Sequence, residues 1–365
     1  MASNESPSTV GGPLPELNGA PEPGGQRTAG SAAKRALKLL SDNAIYSVLV
    51  VLVLVIAFVE PTFLSIDCLR DILTQSSTRV IVALGASFAI LTAGADLSSG
   101  KMVGLAAVVS ASMLQAPDYL RLFFPNLPQL PLWMPILVAI LACTVCGLVN
   151  GLAIALLKVP PFIATLGSMV AILGANSIYF NQHPNDSQPI GGLRADFTNL
   201  GSGAIGSGPY SIPYIVVIAL AVAVFIWVLM NKTPFGKHVY AIGGNVQAAR
   251  VSGINIEWTI VLMYALAGAL YGLAGVLEAA RTGGATNNYG NMYELDAIAA
   301  CVVGGVSVTG GIGTIQGILA GVLIFGVINY GLTFVGLDPY WQLIIKGAII
   351  VSAVAFDVRK YTSKK

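Results

Sequence analysis

The sequence predicts an all-α protein, a polytopic transmembrane helix bundle of about ten spans, on three observations. Of its 365 residues 55% are hydrophobic and only 10% are charged, against about a quarter charged in soluble domains. Apolar runs close to the roughly 20 residues that cross a bilayer as helix recur along the chain. Glycine is abundant, at 41 residues, and in spans it lets helix backbones approach closely. A soluble chain of this composition would expose large apolar patches and aggregate.

The elements follow in order. Met1 to Gly30 is rich in Ser, Gly, Pro, Ala and Glu and has no apolar signal-peptide core. Such a stretch cannot bury a core, so residues 1–38 are expected to form a disordered cytoplasmic tail. Its basic end, Lys34, Arg35 and Lys38, precedes the first apolar run and marks the inner side. The membrane domain is expected over 39–362, with a short tail at 363–365. Its first run is 43–59, closed by Glu60-Pro61, and 68–75 reads as a short amphipathic helix outside the hydrocarbon. Runs follow at 80–93, 102–115, 132–157 and, after the Pro160-Pro161 break, 162–180. The first two are short and could form one broken or re-entrant element.

A polar, Gly-rich loop at 181–211 leads to the run 212–230. The polar stretch 231–257 carries Lys232, Lys237 and Arg250 against one acid, Glu257. Runs at 258–280, 293–309, 312–335 and 340–356 complete the chain, with a polar turn at 281–291. With the N-terminus inside, ten crossings return Arg359, Lys360, Lys364 and Lys365 to the inner side. Lys158 and the 231–257 stretch also fall inside, as the positive-inside rule requires, and 181–211 falls outside.

Gly100/Gly104, Gly147/Gly151, Gly268/Gly272 and Gly313/Gly317/Gly321 have GxxxG spacing, which on helices permits tight crossings within the bundle or between two copies. A short internal echo links Gly94-Ala-Asp96-Leu-Ser98-Ser-Gly100 with Gly305-Val-Ser307-Val-Thr309-Gly-Gly311. Gly-interrupted segments at matching places can mark a transport pathway.

Several chemistries are excluded. The net charge of +2 gives no basis for nucleic-acid binding. The Cys143/Cys146 pair lies inside an apolar run with no further ligands nearby, so it reads as packing and not as a metal site. His183 and His238 fall in loops on opposite sides. The Gly201/Gly203/Gly206 pattern sits in a polar loop without the strand and helix of a dinucleotide site. No Walker A loop occurs, so the chain is not expected to hydrolyse ATP by itself; with no HExxH or GxSxG either, it is expected to be neither an enzyme nor the holder of a cofactor.

Polar groups inside the membrane are costly and usually face a bundle interior or a cavity. Asn150, Asn176, Gln316 and Asn329 lie within apolar runs, and Asp96, Glu278, Glu294, Asp296 and Lys346 near run ends. Asp96, Ser98 and the four amides are the candidates for a translocation path; interhelical hydrogen bonding is the competing use. Neutral amides with few buried charges suit a neutral, hydroxylated solute better than an ion-coupled pump.

The stretch 233–258, TPFGKHVYAIGGNVQAARVSGINIEW, resembles the coupling motif of ATP-binding cassette (ABC) importer permeases. The match is Gln247-Ala248-Ala249 with Gly253, Gln standing where the motif has Glu. The segment 235–245, Asp96–Gly100, Asn150-Gly151 and 161–167 resemble the ribose/galactose branch of bacterial sugar permeases. Residues 61–64, 72–75, 278–305 and 328–347 look like its galactose/methyl-galactoside members. The likeness covers about residues 43–362.

That resemblance implies a permease subunit in the bacterial inner membrane, both termini cytoplasmic. It implies a second permease copy, a cytoplasmic ATPase subunit that binds the ATP and docks at Gln247, Ala248, Ala249 and Gly253, and a periplasmic sugar-binding protein. The cargo would be a monosaccharide, galactose or methyl galactoside, with ribose, xylose or another monosaccharide as alternatives and an ion-coupled secondary transporter as the competing class. Asn287 and Asn288 in the outer turn are candidates for the periplasmic mouth.

Overall fold

The computed structural model describes residues 44–208 and 210–362; the expected tails at 1–38 and 363–365 lie outside them. Chain contacts divide the protein at Ser47/Val48, and everything below concerns the larger, second unit. Helix α1 (Ala44–Val59) is followed by a 3-10 turn at Pro61–Leu64. Helix α2 (Ile66–Leu91) is capped by Ser65, whose hydroxyl accepts from the Cys68 amide at 3.2 Å.

Here the structure corrects the sequence reading. Residues 68–75 and 80–93 are not a surface helix and a short span but one helix of 26 residues, about 39 Å long. Ser76, Ser77 and Thr78 break its apolar run, yet all three are buried inside the bundle. Helices α3 (Ser99–Met113), α4 (Trp133–Ala155) and α5 (Pro161–Phe180) follow. The long loop after α5 holds helix α6 (Ala195–Ser202) and a two-residue antiparallel pair, β1 (Ala204–Ile205) on β2 (Ile212–Pro213).

Helix α7 (Tyr214–Lys232) leads to two short helices, α8 (Pro234–Gly244) and α9 (Val246–Val251). Helix α10 (Ile256–Thr282) starts at an Asn255 cap and ends on Gly283, in the left-handed region at φ +70°. The chain closes with α11 (Tyr293–Val303), α12 (Ile315–Phe334) and α13 (Pro339–Thr362). Among the described residues five helices, α4, α5, α7, α10 and α12, are long and apolar enough to cross a membrane. With 15 and 11 residues, α3 and α11 are about 22 and 17 Å long, short of a hydrocarbon core of about 30 Å. Each adjoins an irregular segment, 92–98 before α3 and 304–314 after α11, and these overlap the two halves of the sequence echo, 94–100 and 305–311.

The bundle is organised around α10, which packs on α2, α3, α4 and α6. Glycine sets the α4–α10 crossing. A Cβ on Gly147 of α4 would stand 2.2 Å from the Tyr264 carbonyl oxygen, and one on Gly268 of α10 2.3 Å from that of Cys143. The GxxxG pairs Gly147/Gly151 and Gly268/Gly272 are therefore two sides of one intrachain crossing. Gly85 of α2 lies under the ring of Tyr271, a fully buried side chain of α10.

Candidate functional site

The irregular segment 92–98 carries a buried polar network. Its chain turns at Ala93, φ +59°, and brings the Asp96 carboxylate into the core. One carboxylate oxygen accepts from the Ser98 amide at 3.0 Å and the Ser98 hydroxyl at 2.6 Å. The other accepts from the Tyr271 hydroxyl of α10 at 3.1 Å. Ser98 Oγ in turn accepts from Asn150 Nδ2 of α4 at 3.0 Å, and Asn150 Oδ1 accepts from the Ser168 hydroxyl of α5. Thr165 of α5 donates to the Ala95 carbonyl at 3.1 Å. Four chain segments are thus tied at one point, with Asp96, Ser98 and Asn150 all buried. In this conformation the donors and acceptors are spent on one another.

The other candidates do not join this network. Asn176 of α5 is buried against α3, its Nδ2 close to Gly104, and its Oδ1 has no hydrogen-bond partner. Asn329 of α12 is buried with neither amide atom bonded. Gln316 is exposed at the start of α12. In the 283–292 turn Asn287 reaches Ser177 of α5 at 3.5 Å and Asn288 is exposed.

The 231–257 stretch folds into α8 and α9. The Asn245 side chain caps α9, accepting from the amides of Gln247 and Ala248 at 3.0 Å each. At the other end Gly253 adopts φ +80°. Its amide donates to the Arg250 carbonyl at 3.0 Å and the Ile254 amide to that of Ala249 at 3.1 Å, the paired bonds of a Schellman stop. Gln247, Ala248 and Gly253 are exposed, while Ala249 packs inward with Ile242 and Ile256. Arg250 and Lys158 meet Glu257 at 2.9 and 3.2 Å, fixing α9 to the start of α10 and to the α4–α5 turn. On α8 the Tyr240 hydroxyl donates to the Gly313 carbonyl at 3.0 Å, and burial pushes its pKa up.

Between α2, α10, α11 and α13 lies an ionic cluster. Glu278 is saturated: it accepts from Arg281 at 2.7 Å, Thr78 at 2.9 Å and the Tyr293 hydroxyl at 3.0 Å. Asp296 serves two cations less closely, Lys346 at 3.5 Å and Arg79 at 3.9 Å, and the Arg79 guanidinium stands 5.5 Å from the Tyr293 ring centre. Nearby, buried Lys101 donates to Asn291 at 2.8 Å.

Residues 68–354 match the family model described as the permease component of a branched-chain amino acid transport system. The chain belongs to that family of permeases. It is 52% identical over 332 residues to the galactose/methyl galactoside import permease protein MglC of Escherichia coli K12, covering 91% of this chain and 98% of that one. The same-named protein of Salmonella typhimurium LT2 is 51% identical over the same shares. The ribose import permease protein RbsC of Bacillus subtilis 168 is 39% identical over 316 residues, 86% of this chain and 91% of that one. No solved structure matches.

Of the candidates in this permease, the structure unites Asp96, Ser98 and Asn150 and leaves Asn176, Gln316 and Asn329 apart. The sequence reading missed Tyr271, Ser168 and Thr165, because a hydroxyl in an apolar run does not stand out. It also expected few buried charges, whereas Glu278, Glu294, Asp296 and Lys101 are all buried. Thr78 and Arg79 fall between the 68–75 helix and the 80–93 run of the sequence reading, whereas the structure places them within α2.

Proposed function

We propose that this permease is the transmembrane subunit of an ABC importer that carries galactose or methyl galactoside inward. Identity carries the substrate: 50–52% to three galactose/methyl galactoside import permeases, against 36–39% to ribose import permeases. ATP is bound and hydrolysed on partner ATPase subunits, and a periplasmic binding protein delivers the sugar. Two copies of the chain form the pore in the inner membrane, surrounded by lipid, with both termini cytoplasmic.

Within this reading the membrane domain spans 39–362, and Gln247, Ala248, Ala249 and Gly253 dock the ATPase. The exposure of Gln247, Ala248 and Gly253, with the cap at Asn245, supports that role, and Ala249 acts from beneath by seating α9 on Ile242 and Ile256. Asp96, Ser98, Asn150, Asn176, Gln316 and Asn329 serve the path, and Asn287 and Asn288 its outer mouth.

Uptake of labelled galactose, ribose and xylose in a strain lacking the gene tests the proposal. Loss of galactose uptake alone, restored by the gene, is expected. Loss of ribose or xylose uptake instead would keep the mechanism and replace the cargo; no defect in any sugar, in a strain without other uptake systems, would overturn both.

A further inference from the structure

The two irregular segments that interrupt the bundle meet under α8. The Gly311 amide donates to the Leu91 carbonyl, the last of α2, at 2.8 Å. The end of α8 wedges against both. A Cβ on Gly243 would lie 1.8 Å from the Leu91 oxygen and 2.5 Å from the Gly311 nitrogen. One on Gly310 would lie 2.8 Å from the Gly243 oxygen and 3.0 Å from the Ala93 nitrogen. Gly310 and Gly311 have φ of +86° and +74°, and Tyr240, one turn back on α8, holds the Gly313 carbonyl at 3.0 Å.

Three segments thus touch backbone to backbone, with no side chain between them. One leads through Asn245 directly into α9. The second leads from Leu91 to Asp96 and the buried network. The third leads through the Thr314 cap into α12, whose Gly317 packs on the Gly304 carbonyl at the end of α11. Side chains can absorb a small displacement by changing rotamer; contacting backbones cannot, so motion of one must move the others.

We propose that Gly243, with Gly310, Gly311 and Tyr240, is the positioning junction through which displacement of α9 reaches both interrupted segments and so opens or closes the path. This rests on the ATP-driven reading above.

Gly244 supplies the control, since a Cβ there meets nothing within 4 Å. The full complex, permease with ATPase and sugar-binding protein in liposomes, is assayed for ATP hydrolysed and sugar imported. Gly243→Ala is expected to keep ATP hydrolysis and import about tenfold less sugar per ATP, while Gly244→Ala matches the parent. Tyr240→Phe adds no bulk and is expected to shift the ratio the same way, by less. A Gly243→Ala variant coupled like the parent, or equal losses at Gly243 and Gly244, would overturn the junction. Should Gly243→Ala fail to assemble, a fully coupled Tyr240→Phe would do so. A parent that imports no sugar with ATP overturns the functional reading, and this inference with it.

Discussion

The Asn150 side-chain amide donates to Ser98 Oγ at 3.0 Å, joining the middle of the polar network to helix α4. Both groups are buried, so removing one leaves the other without its partner. Asn150→Leu is expected to destabilise the protein by about 1–3 kcal/mol and to lower its melting temperature in detergent. An unchanged melting curve would show that the network is not formed.

The α4–α10 crossing is set by glycine on both sides. Gly147→Val and Gly268→Val would each drive a side chain into the opposing backbone. Each is expected to cost about 3 kcal/mol or more and to reduce the folded yield in membranes. Gly174 of α5 faces open space, so Gly174→Ala should leave the yield unchanged. Comparable losses at Gly147 and Gly174 would refute the crossing.

Asp296 answers two cations, Arg79 and Lys346. Asp296→Asn leaves both uncompensated in a largely buried place and is expected to cost on the order of 2–3 kcal/mol, a little less than for a fully buried pair. Lys346→Gln leaves the Arg79–Asp296 pair and should cost less. Thermal melting of the two variants side by side decides it; the reverse order would mean that Asp296 is held chiefly by Lys346.

Gly253 ends α9 at a left-handed φ with open space around it. The penalty for a side chain there is conformational, about 1–2 kcal/mol for a β-branched residue. Gly253→Val is expected to misplace α9 and raise the ATP consumed per sugar imported, whereas Gly253→Asn, which tolerates that φ, should be milder. Normal coupling in Gly253→Val would remove this segment as the ATPase dock.

Asn287 and Asn288 lie in the turn between α10 and α11, one half-buried and one exposed. Alanine at both is expected to raise the KM for uptake several-fold while the intrinsic ATPase rate of the complex stays constant. Unchanged uptake kinetics would exclude them from the mouth of the path.

The sequence made the helical class and most helix positions legible because the five long spans are almost uniformly apolar. It failed at α2 for a physical reason. Ser76, Ser77 and Thr78 face the interior, and Ser77 satisfies its hydroxyl on the Leu73 carbonyl of its own helix at 2.7 Å, so a polar stretch lies inside a continuous helix. The GxxxG spacing pointed to tight crossings without naming their partners; Gly147/Gly151 and Gly268/Gly272 meet each other, whereas Gly100 and Gly104 make room for the backbone of the 289–290 turn and, at Gly100, for the Glu294 side chain. Half of the candidate path residues share one network. Their partner Tyr271 could not be read from spacing, because it stands 175 residues away from Asp96.

That separation bears on how the protein is made. At about 5–20 residues per second, a ribosome that has delivered Asp96 to the membrane needs on the order of ten to thirty seconds more to deliver Tyr271. During that interval α3, too short to cross the bilayer and lacking its cover from α10, has to be sheltered by the insertion machinery or by the earlier helices. The N-terminal half of the chain therefore enters the membrane unfinished, and the synthesis of α10 is the step that covers α3.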